Sequence, residues 1–185
     1  LVILSLAYKL DNSLSTYTII LIGVIFSMFV NSILSLAVTF APEKAKNIMF
    51  WTMGSLSAAG YSDVLLLAVS LLVFGGIIIM HTRELNAFAV GEQNAAHVGV
   101  NVKKTKLIVM ITVSALIGVC VSIGGTIGFV GLVIPHMTRL VVGPNHKRLL
   151  PACLIFGSAF LMLADLLGRV IFKPLELPIG VVTSF

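Results

Sequence analysis

Long runs of apolar residues alternate with short polar segments along this chain of 185 residues. The runs have the length of membrane-spanning helices, because about 20 apolar residues cross a hydrocarbon core roughly 30 Å thick. They lie at 14–41, 63–81, 105–122, 126–142 and 150–168. The 126–142 run is short and contains Pro135, and Gly124-Gly125 before it should end the preceding helix. "GPNHKRLLP" then reads as a loop, and a sixth span starts at Ile179 and is cut off at Phe185.

The composition supports an all-α integral membrane protein, a polytopic helical bundle of five spans and the start of a sixth. Apolar residues make up 58% of the chain and charged residues 10%, with a mean hydropathy of +1.12. A soluble domain has about 45–50% apolar and about 25% charged residues. The net charge of +5 is spread over loop ends and does not indicate nucleic-acid binding. Cys120 and Cys153 lie inside apolar runs and are interpreted as buried hydrophobes.

The basic residues predict how the chain is oriented, because short cytoplasmic loops are enriched in Lys and Arg. One side collects eight of the 12 basic residues and the other side four. The eight are Lys9, Arg83, Lys103, Lys104, Lys106, Arg139, Lys147 and Arg148, and the four are Lys44, Lys46, Arg169 and Lys173. The segment 82–104 is therefore expected to be a cytoplasmic loop. The segment 42–62 is expected to be an external loop whose first half forms a short interfacial helix near Trp51.

The stretch "GEQNAAHVGVNVKK" at 91–104 is a polar island in this apolar chain. "EQNAAH" should form one or two helical turns that begin with Glu92 and end before Gly99. The small side chains of Ala95 and Ala96 would let another surface approach closely. The segment is either a solvated loop with nascent helix or a docking helix for a cytoplasmic partner.

Small and polar residues recur every four positions in the first span. The repeat contains Gly23, Ser27, Asn31, Ser35 and Thr39, and each step of four advances by about 400° on a helix, so it forms a slanted ridge. The ridge either packs against another helix or lines a pathway. Before and within the fourth span, Gly124, Gly125, Gly128 and Gly131 would allow close helix approach and a tight external turn.

Three polar side chains inside the later spans admit structural and functional interpretations. His136 has no other metal ligand within a helical turn and is expected to be hydrogen-bonded inside the fold. Asp165 and Arg169 are four residues apart and should share a helix face.

An intramembrane serine protease would need the serines of "MGSLSAAG" beside His136, but these are predicted on opposite sides. A secondary transporter or channel would need charged residues at mid-membrane, and the spans contain none there.

Four motifs in one order resemble the permease subunits of type II ABC importers, the family that takes up ferric siderophores, haem and cobalamin. They are "GEQNAAHVGVNV", "GGTIGFVGLVIPHMTRLVVGPNHKRLLP", "LADLLGRV" and "LELPIGVVTS". The resemblance covers the whole chain, 1–185, as a single permease domain that corresponds to roughly the second half of a family member. It implies two permease copies around a central pathway, two cytoplasmic ABC ATPase subunits and an external substrate-binding protein.

The resemblance also implies roles for particular residues. The stretch 92–98 and the stretch after Gly99 would be short helices that enter a groove on the ATPase. The implied coupling residues are Gly91, Glu92, Asn94, Ala95, Ala96, His97, Gly99 and Val100. The ridge would line the pathway, and Arg169, Lys173, Lys44 and Lys46 would meet the binding protein. The implied structural motif residues are Gly125, Gly128, Gly131, Pro135, His136, Asp165, Pro178 and Gly180.

No catalytic or metal-binding residue is expected, and the chain has no GxxxxGK[ST] motif. ATP and Mg²⁺ would therefore be bound by the partner ATPase, and the chain itself would bind no cofactor. The expected cargo is an iron chelate or haem, with cobalamin as the alternative.

Overall fold

The computed structural model describes residues 16–57, 59–171 and 177–184, and it divides into two units after Met49. The first unit contains helix α1 (Thr16–Phe40), a 3₁₀ turn (Pro42–Lys44) and the start of helix α2 (Ala45–Thr52). α1 ends just before Pro42, whose ring disfavours helix at the residue preceding it. Its hydroxyl groups bond to carbonyls one turn back, as with Ser35 Oγ and Asn31 O at 2.9 Å.

The second unit is a series of helices. They are α3 (Tyr61–Ser70), a π-helical segment (Leu71–Gly75), α4 (Gly76–Met80), α5 (Thr82–Phe88), α6 (Glu92–His97), α7 (Val102–Gly124), α8 (Val130–Val142), α9 (His146–Val170) and α10 (Ile179–Ser184). The continuous helix from α3 to α4 packs against α7, and α9 packs against α5, α8 and α10. Each π turn or bulge adds a residue to a helix, and this one ends at Gly75-Gly76 in the middle of a span.

Four helices of the described part of the chain are long and apolar enough to cross a membrane. They are Tyr17–Phe40, Tyr61–Met80, Val102–Gly124 and His146–Val170, and α8 is a shorter apolar helix. Large apolar side chains lie on the outside of the bundle, for example Leu72 and Leu132, both 77% exposed. Such a surface is stable in lipid and would aggregate in water. The predicted all-α membrane fold is therefore confirmed.

The predicted starts of α8 and α9 are both wrong. Pro151 lies inside α9, which starts at His146 because the side chain of Asn145 caps it by accepting from the Lys147 N–H at 3.0 Å. The loop is thus only the short turn 143–145. α8 starts at Val130, four residues later than predicted, because the chain is not helical from Gly125 to Phe129. Phe129 has φ +64°, an uncommon conformation for a bulky residue.

Three backbone segments meet where α7 ends, and glycines make the approach possible. The N–H groups of Ile179 and Gly180 donate to the carbonyls of Gly54 and Met53 at 3.1 and 3.0 Å. The Ser55 N–H donates to the Gly124 carbonyl at 2.9 Å. A Cβ on Gly180 would overlap the Met53 carbonyl oxygen, so only glycine fits there. We call these segments, 51–55, 124–126 and 177–180, the glycine junction.

Candidate functional site

The segment 82–104 contains the local structure that its sequence predicts. α6 runs from Glu92 to His97 between two glycines with positive φ, Gly91 at +116° and Gly99 at +85°. The Val100 N–H donates to the Ala95 carbonyl and the Gly99 N–H to the Ala96 carbonyl, at 3.1 and 3.0 Å. This pair of bonds is a Schellman motif, which ends a helix on a left-handed glycine.

The two alanines of α6 lie in different environments, which the sequence did not distinguish. Ala95 is buried, with 1% of its surface exposed, while Ala96 is exposed. Glu92, Asn94 and His97 are exposed as well. The prediction that both alanines are open to a partner is therefore wrong for Ala95, whose side chain packs within this chain. The open surface of α6 has Ala96 as its smallest side chain.

The prediction of a second short helix after Gly99 is also wrong. After the turn at Val98 and Gly99, only Val100 and Asn101 precede the long helix α7. Asn101 caps α7, since its side-chain Oδ1 accepts from the Lys104 N–H at 3.0 Å. The other short helix of this segment is α5, which precedes α6 and packs against it.

One ion pair links α6 to the start of α7. Lys106 Nζ lies 2.9 Å from Glu92 Oε1, and the two side chains are 15% and 53% exposed. A pair that is open to solvent on one side, as here at Glu92, is screened by water and stabilises by on the order of 1 kcal/mol. Within the segment, Asn94 Nδ2 donates to the Val90 carbonyl at 2.9 Å. These contacts orient α6 only weakly relative to the long helices.

A groove of 310 Å³ opens beside α6, between α5, the turn at Gly99 and the first turns of α7. Glu84 lines this groove, and its Oε2 is buried without a hydrogen-bond partner among the described residues. His81 also lines it, and its Nδ1 donates to the Ile77 carbonyl at 2.9 Å. Glu84 therefore brings to the wall of this groove a buried oxygen that no described residue satisfies.

A cluster of three polar residues joins α5 to the start of α9. Asn86 Oδ1 accepts from the backbone N–H of His146 at 2.9 Å and from its ring Nδ1 at 2.7 Å. Asn86 Nδ2 donates to Asn145 Oδ1 at 3.2 Å. Sequence reasoning missed this cluster, because the partners are 59 and 60 residues apart and no local pattern connects them.

The candidates for the external docking face are separate surface residues. Arg169 Nε lies 2.8 Å from Asp165 Oδ2, which confirms the predicted pairing one helical turn apart. The Arg169 side chain is 42% exposed, so it is open to a partner even while paired. Lys44 and Lys46 are exposed on the 3₁₀ turn and on α2 in the first unit. Lys173 lies outside the described residues.

The structural motif residues of α8 and α10 behave in three ways. Gly125, Pro178 and Gly180 lie in or next to the glycine junction, and Gly125 has φ +69°. Gly128 and Gly131 have no atom of the described residues within 4 Å of a Cβ, so the expected close helix approach does not occur at them in the described part of the chain. Pro135 lies inside α8, and His136 beside it is exposed. His136 has no hydrogen bond to any described residue, so the expectation of a bonded, internal His136 is wrong.

The ridge residues lie on α1 in the first unit. Gly23 is half-buried and Ser27, Asn31 and Ser35 are exposed. The Ser27 hydroxyl donates to the Val24 carbonyl at 2.8 Å, so its bonding is satisfied within the helix. The Asn31 amide has no hydrogen bond to the described residues. An amide of this kind is costly in lipid and is satisfied by water or by a polar partner.

Comparison with known proteins places these features in a family. Residues 1–185 match the FecCD transport family. The chain is 44% identical over 172 residues to the ABC transporter permease protein YvrB of Bacillus subtilis, covering 93% of this chain and 49% of that protein. It is 38% identical over 143 residues to the hemin transport system permease protein HmuU of Yersinia pestis, covering 77% and 42%. It is 35% identical over 169 residues to the cobalamin import system permease protein BtuC of Halobacterium salinarum, covering 91% and 45%.

The fold agrees with a solved structure described as the inward-facing conformation of a metal-chelate type ABC transporter. The TM-score is 0.88 at 31% sequence identity, over 99% of this chain and 58% of that chain. The chain spans about half the length of the curated relatives it matches. Its apolar helices agree with a multi-pass protein of the bacterial or archaeal plasma membrane. The family match over the whole chain, the shared fold and the four apolar helices together establish that this chain belongs to the FecCD transport family.

Proposed function

We propose that this chain belongs to the permease subunit of an ATP-driven importer of a ferric siderophore or of haem. Two permease copies would enclose the pathway, two ATPase subunits would bind the cytoplasmic side and a binding protein would deliver cargo outside. The chain would bind no cofactor of its own, since ATP and Mg²⁺ would belong to the ATPase. The observation that carries the proposal is the geometry of α6, a short exposed helix set between two left-handed glycines.

Support for the ATPase contact comes from the exposed face of α6. Ala96 is exposed, and its small side chain leaves room for a close approach by the partner. The tight Schellman turn at Gly99 fixes where α6 ends.

Two further surfaces complete the proposal. The ridge on α1 would line the pathway, where bulky chelates need weakly polar walls that do not trap them. Arg169, with Lys44, Lys46 and Lys173, would attract acidic residues of the binding protein.

We expect Arg169→Glu to weaken docking by on the order of 1 kcal/mol, or about fivefold in Kd. Unchanged affinity at low salt would argue against this role, and Asp165→Asn, which keeps the positive charge, is the matched control.

Cobalamin is the second candidate cargo. It is favoured by the 35% identity to the cobalamin import system permease protein, whereas haem is favoured by the 38% identity to the hemin permease. Both values lie close together, so they do not decide between the cargoes. Measuring the uptake of each compound directly decides between them.

The test uses cells that lack their own permease of this kind. The permease that contains this chain is expressed with its ATPase and binding protein, and uptake of a ferric siderophore, haem and cobalamin is followed. We expect one cargo to enter and Ala96→Trp to abolish both uptake and co-purification of the ATPase, because the large ring blocks close approach. Ala96→Ser, which stays small, should behave like the wild type. Normal transport by Ala96→Trp would refute the role of α6.

A further inference from the structure

The amide of Asn86 is the polar connection between the α5–α6 segment and the long helix α9. We propose that Asn86 and His146 are a positioning pair that transmits movement of this segment into α9. The inference rests on the proposed function, because it assigns a route for the motion that an ATPase would impose on α6. It adds two residues that no sequence motif identifies.

The hydrogen-bond roles at this pair are fixed by chemistry. A backbone N–H can only donate, so the Asn86 atom 2.9 Å from the His146 nitrogen must be the carbonyl oxygen Oδ1. His146 Nδ1 lies 2.7 Å from the same oxygen and must therefore carry a proton. The remaining Asn86 Nδ2 donates to Asn145 Oδ1, the atom that caps α9. Every polar atom of the Asn86 amide is thus used to hold the first turn of α9.

The packing around the pair makes it a junction between helices. α5 contacts both α6 and α9, and Thr82 and Ile79 line one cleft together with His146 and Pro151. Leu149, one turn into α9, is buried with 4% of its surface exposed. The other link from α6 is the partly exposed Glu92–Lys106 ion pair. The two bonds from His146 to Asn86 Oδ1 are partly buried, which reduces competition from water.

α9 can carry a displacement across the membrane. It has 25 residues, so it is about 37 Å long at 1.5 Å per residue. Near its far end, the Gly168 carbonyl accepts from the Leu177 N–H at 3.2 Å, next to the glycine junction. Arg169, the proposed docking residue, lies on the same turn. A shift at Asn86 would therefore reach the docking face and the start of α10 through one continuous helix.

The test compares three substitutions in the permease that contains this chain, assembled with its ATPase and binding protein in proteoliposomes. Asn86→Leu removes all side-chain bonds at similar size, and His146→Leu removes the ring donor but keeps the backbone bond. His146→Asn places an amide nitrogen close to the position of Nδ1 and should rescue. Ser158→Ala is the control within α9, since among the described residues its hydroxyl bonds only to the Ile155 carbonyl one turn back, at 3.0 Å.

Two readouts separate transmission from simple stability. The first is cargo transported per ATP hydrolysed, for a ferric siderophore, haem or cobalamin. The second needs no cargo: a spin label at Leu166→Cys, near the far end of α9, reports its mobility before and after vanadate traps the ATPase. We expect both leucine variants to retain ATPase binding and hydrolysis, to transport about tenfold less per ATP, and to lose the change at the spin label. His146→Asn and Ser158→Ala should stay within about twofold of the wild type.

Several results would overturn the pair. They are normal transport per ATP in Asn86→Leu, a His146→Asn variant as defective as His146→Leu, or a wild-type spin label that does not respond to trapping. If Asn86→Leu does not assemble, His146→Leu decides, because it preserves the backbone bond. Failure of the wild-type permease to bind its ATPase would instead refute the proposed function. A wild type that transports while both leucine variants transport equally well refutes only the positioning pair.

Discussion

Individual glycines in this chain differ in whether a side chain would fit at their position. The space around each glycine determines this. Gly180 and Gly131 are both helical and neither has a positive φ. A Cβ on Gly180 would overlap the Met53 carbonyl oxygen, whereas a Cβ on Gly131 meets nothing within 4 Å. Alanine at these two positions therefore compares the effect of a methyl group in a closely packed site with its effect in an open one.

We expect Gly180→Ala to lower the stability of the protein and Gly131→Ala not to lower it. Gly180→Ala should lower the midpoint of thermal unfolding in detergent, because overpacking costs about 1–3 kcal/mol. Gly131→Ala should leave the midpoint unchanged or raise it, because alanine is favoured in a helix by up to about 1 kcal/mol. A loss at Gly131 equal to that at Gly180 would mean that Gly131 packs closely against a neighbour outside this chain.

Individual helices show which parts of the structure the sequence determines locally. Apolar length predicted the spans. Glu92 predicted the start of α6, because an acid favours the N-terminus of a helix, and Gly99 predicted its end, because a left-handed glycine stops a helix. α9 begins at the cap residue Asn145 and continues through Pro151, because the missing N–H of a proline is tolerated inside a membrane helix. The burial of Ala95 instead of Ala96 and the pairing of Asn86 with His146 depend on tertiary packing. No local pattern encodes contacts between residues 60 apart in the chain.

The π-helical segment at Leu71–Gly75 predicts which deletions the second span tolerates. A π turn accommodates one extra residue while the helices on both sides keep their faces. Deleting Leu72, which is 77% exposed, should restore a regular helix and preserve the packing of α3 and α4 on α7. Deleting Leu66 from α3 should rotate the preceding turns by about 100° and separate them from α7.

The measurement for these deletions is the yield of monodisperse permease in detergent, together with its thermal midpoint. Deletion of Leu72 should retain most of the wild-type yield, and deletion of Leu66 should lose most of it. Leu66 is itself 50% exposed, so the loss cannot be attributed to a missing core side chain. Equal damage from both deletions would show that the π turn has a role of its own, beyond accommodating a residue.

At the scale of the whole molecule, the distribution of charge and the polar ridge each predict which residues are accessible to water, and from which side of the membrane. The predicted orientation places α6 in the cytoplasm and α2 outside, on the basis of eight basic residues against four. The proposed pathway requires that Asn31 face water while the opposite side of α1 faces lipid or protein. Both requirements can be examined by labelling single cysteines with a membrane-impermeant maleimide, after Cys120 and Cys153 are replaced by alanine.

Four positions test these requirements in the assembled permease. Asn47→Cys, on the exposed surface of α2, should react in intact cells, and Gln93→Cys on α6 should react only after permeabilisation. Asn31→Cys should react in at least one state of the transport cycle, because a water-filled pathway lets the thiol ionise and attack. Ile33→Cys, about 200° around the helix from Asn31, should stay unlabelled in lipid. Reaction of Gln93→Cys in intact cells would invert the orientation and exclude an ATPase contact at α6, whereas an unreactive Asn31→Cys would make the ridge a packing surface and leave the coupling segment unaffected.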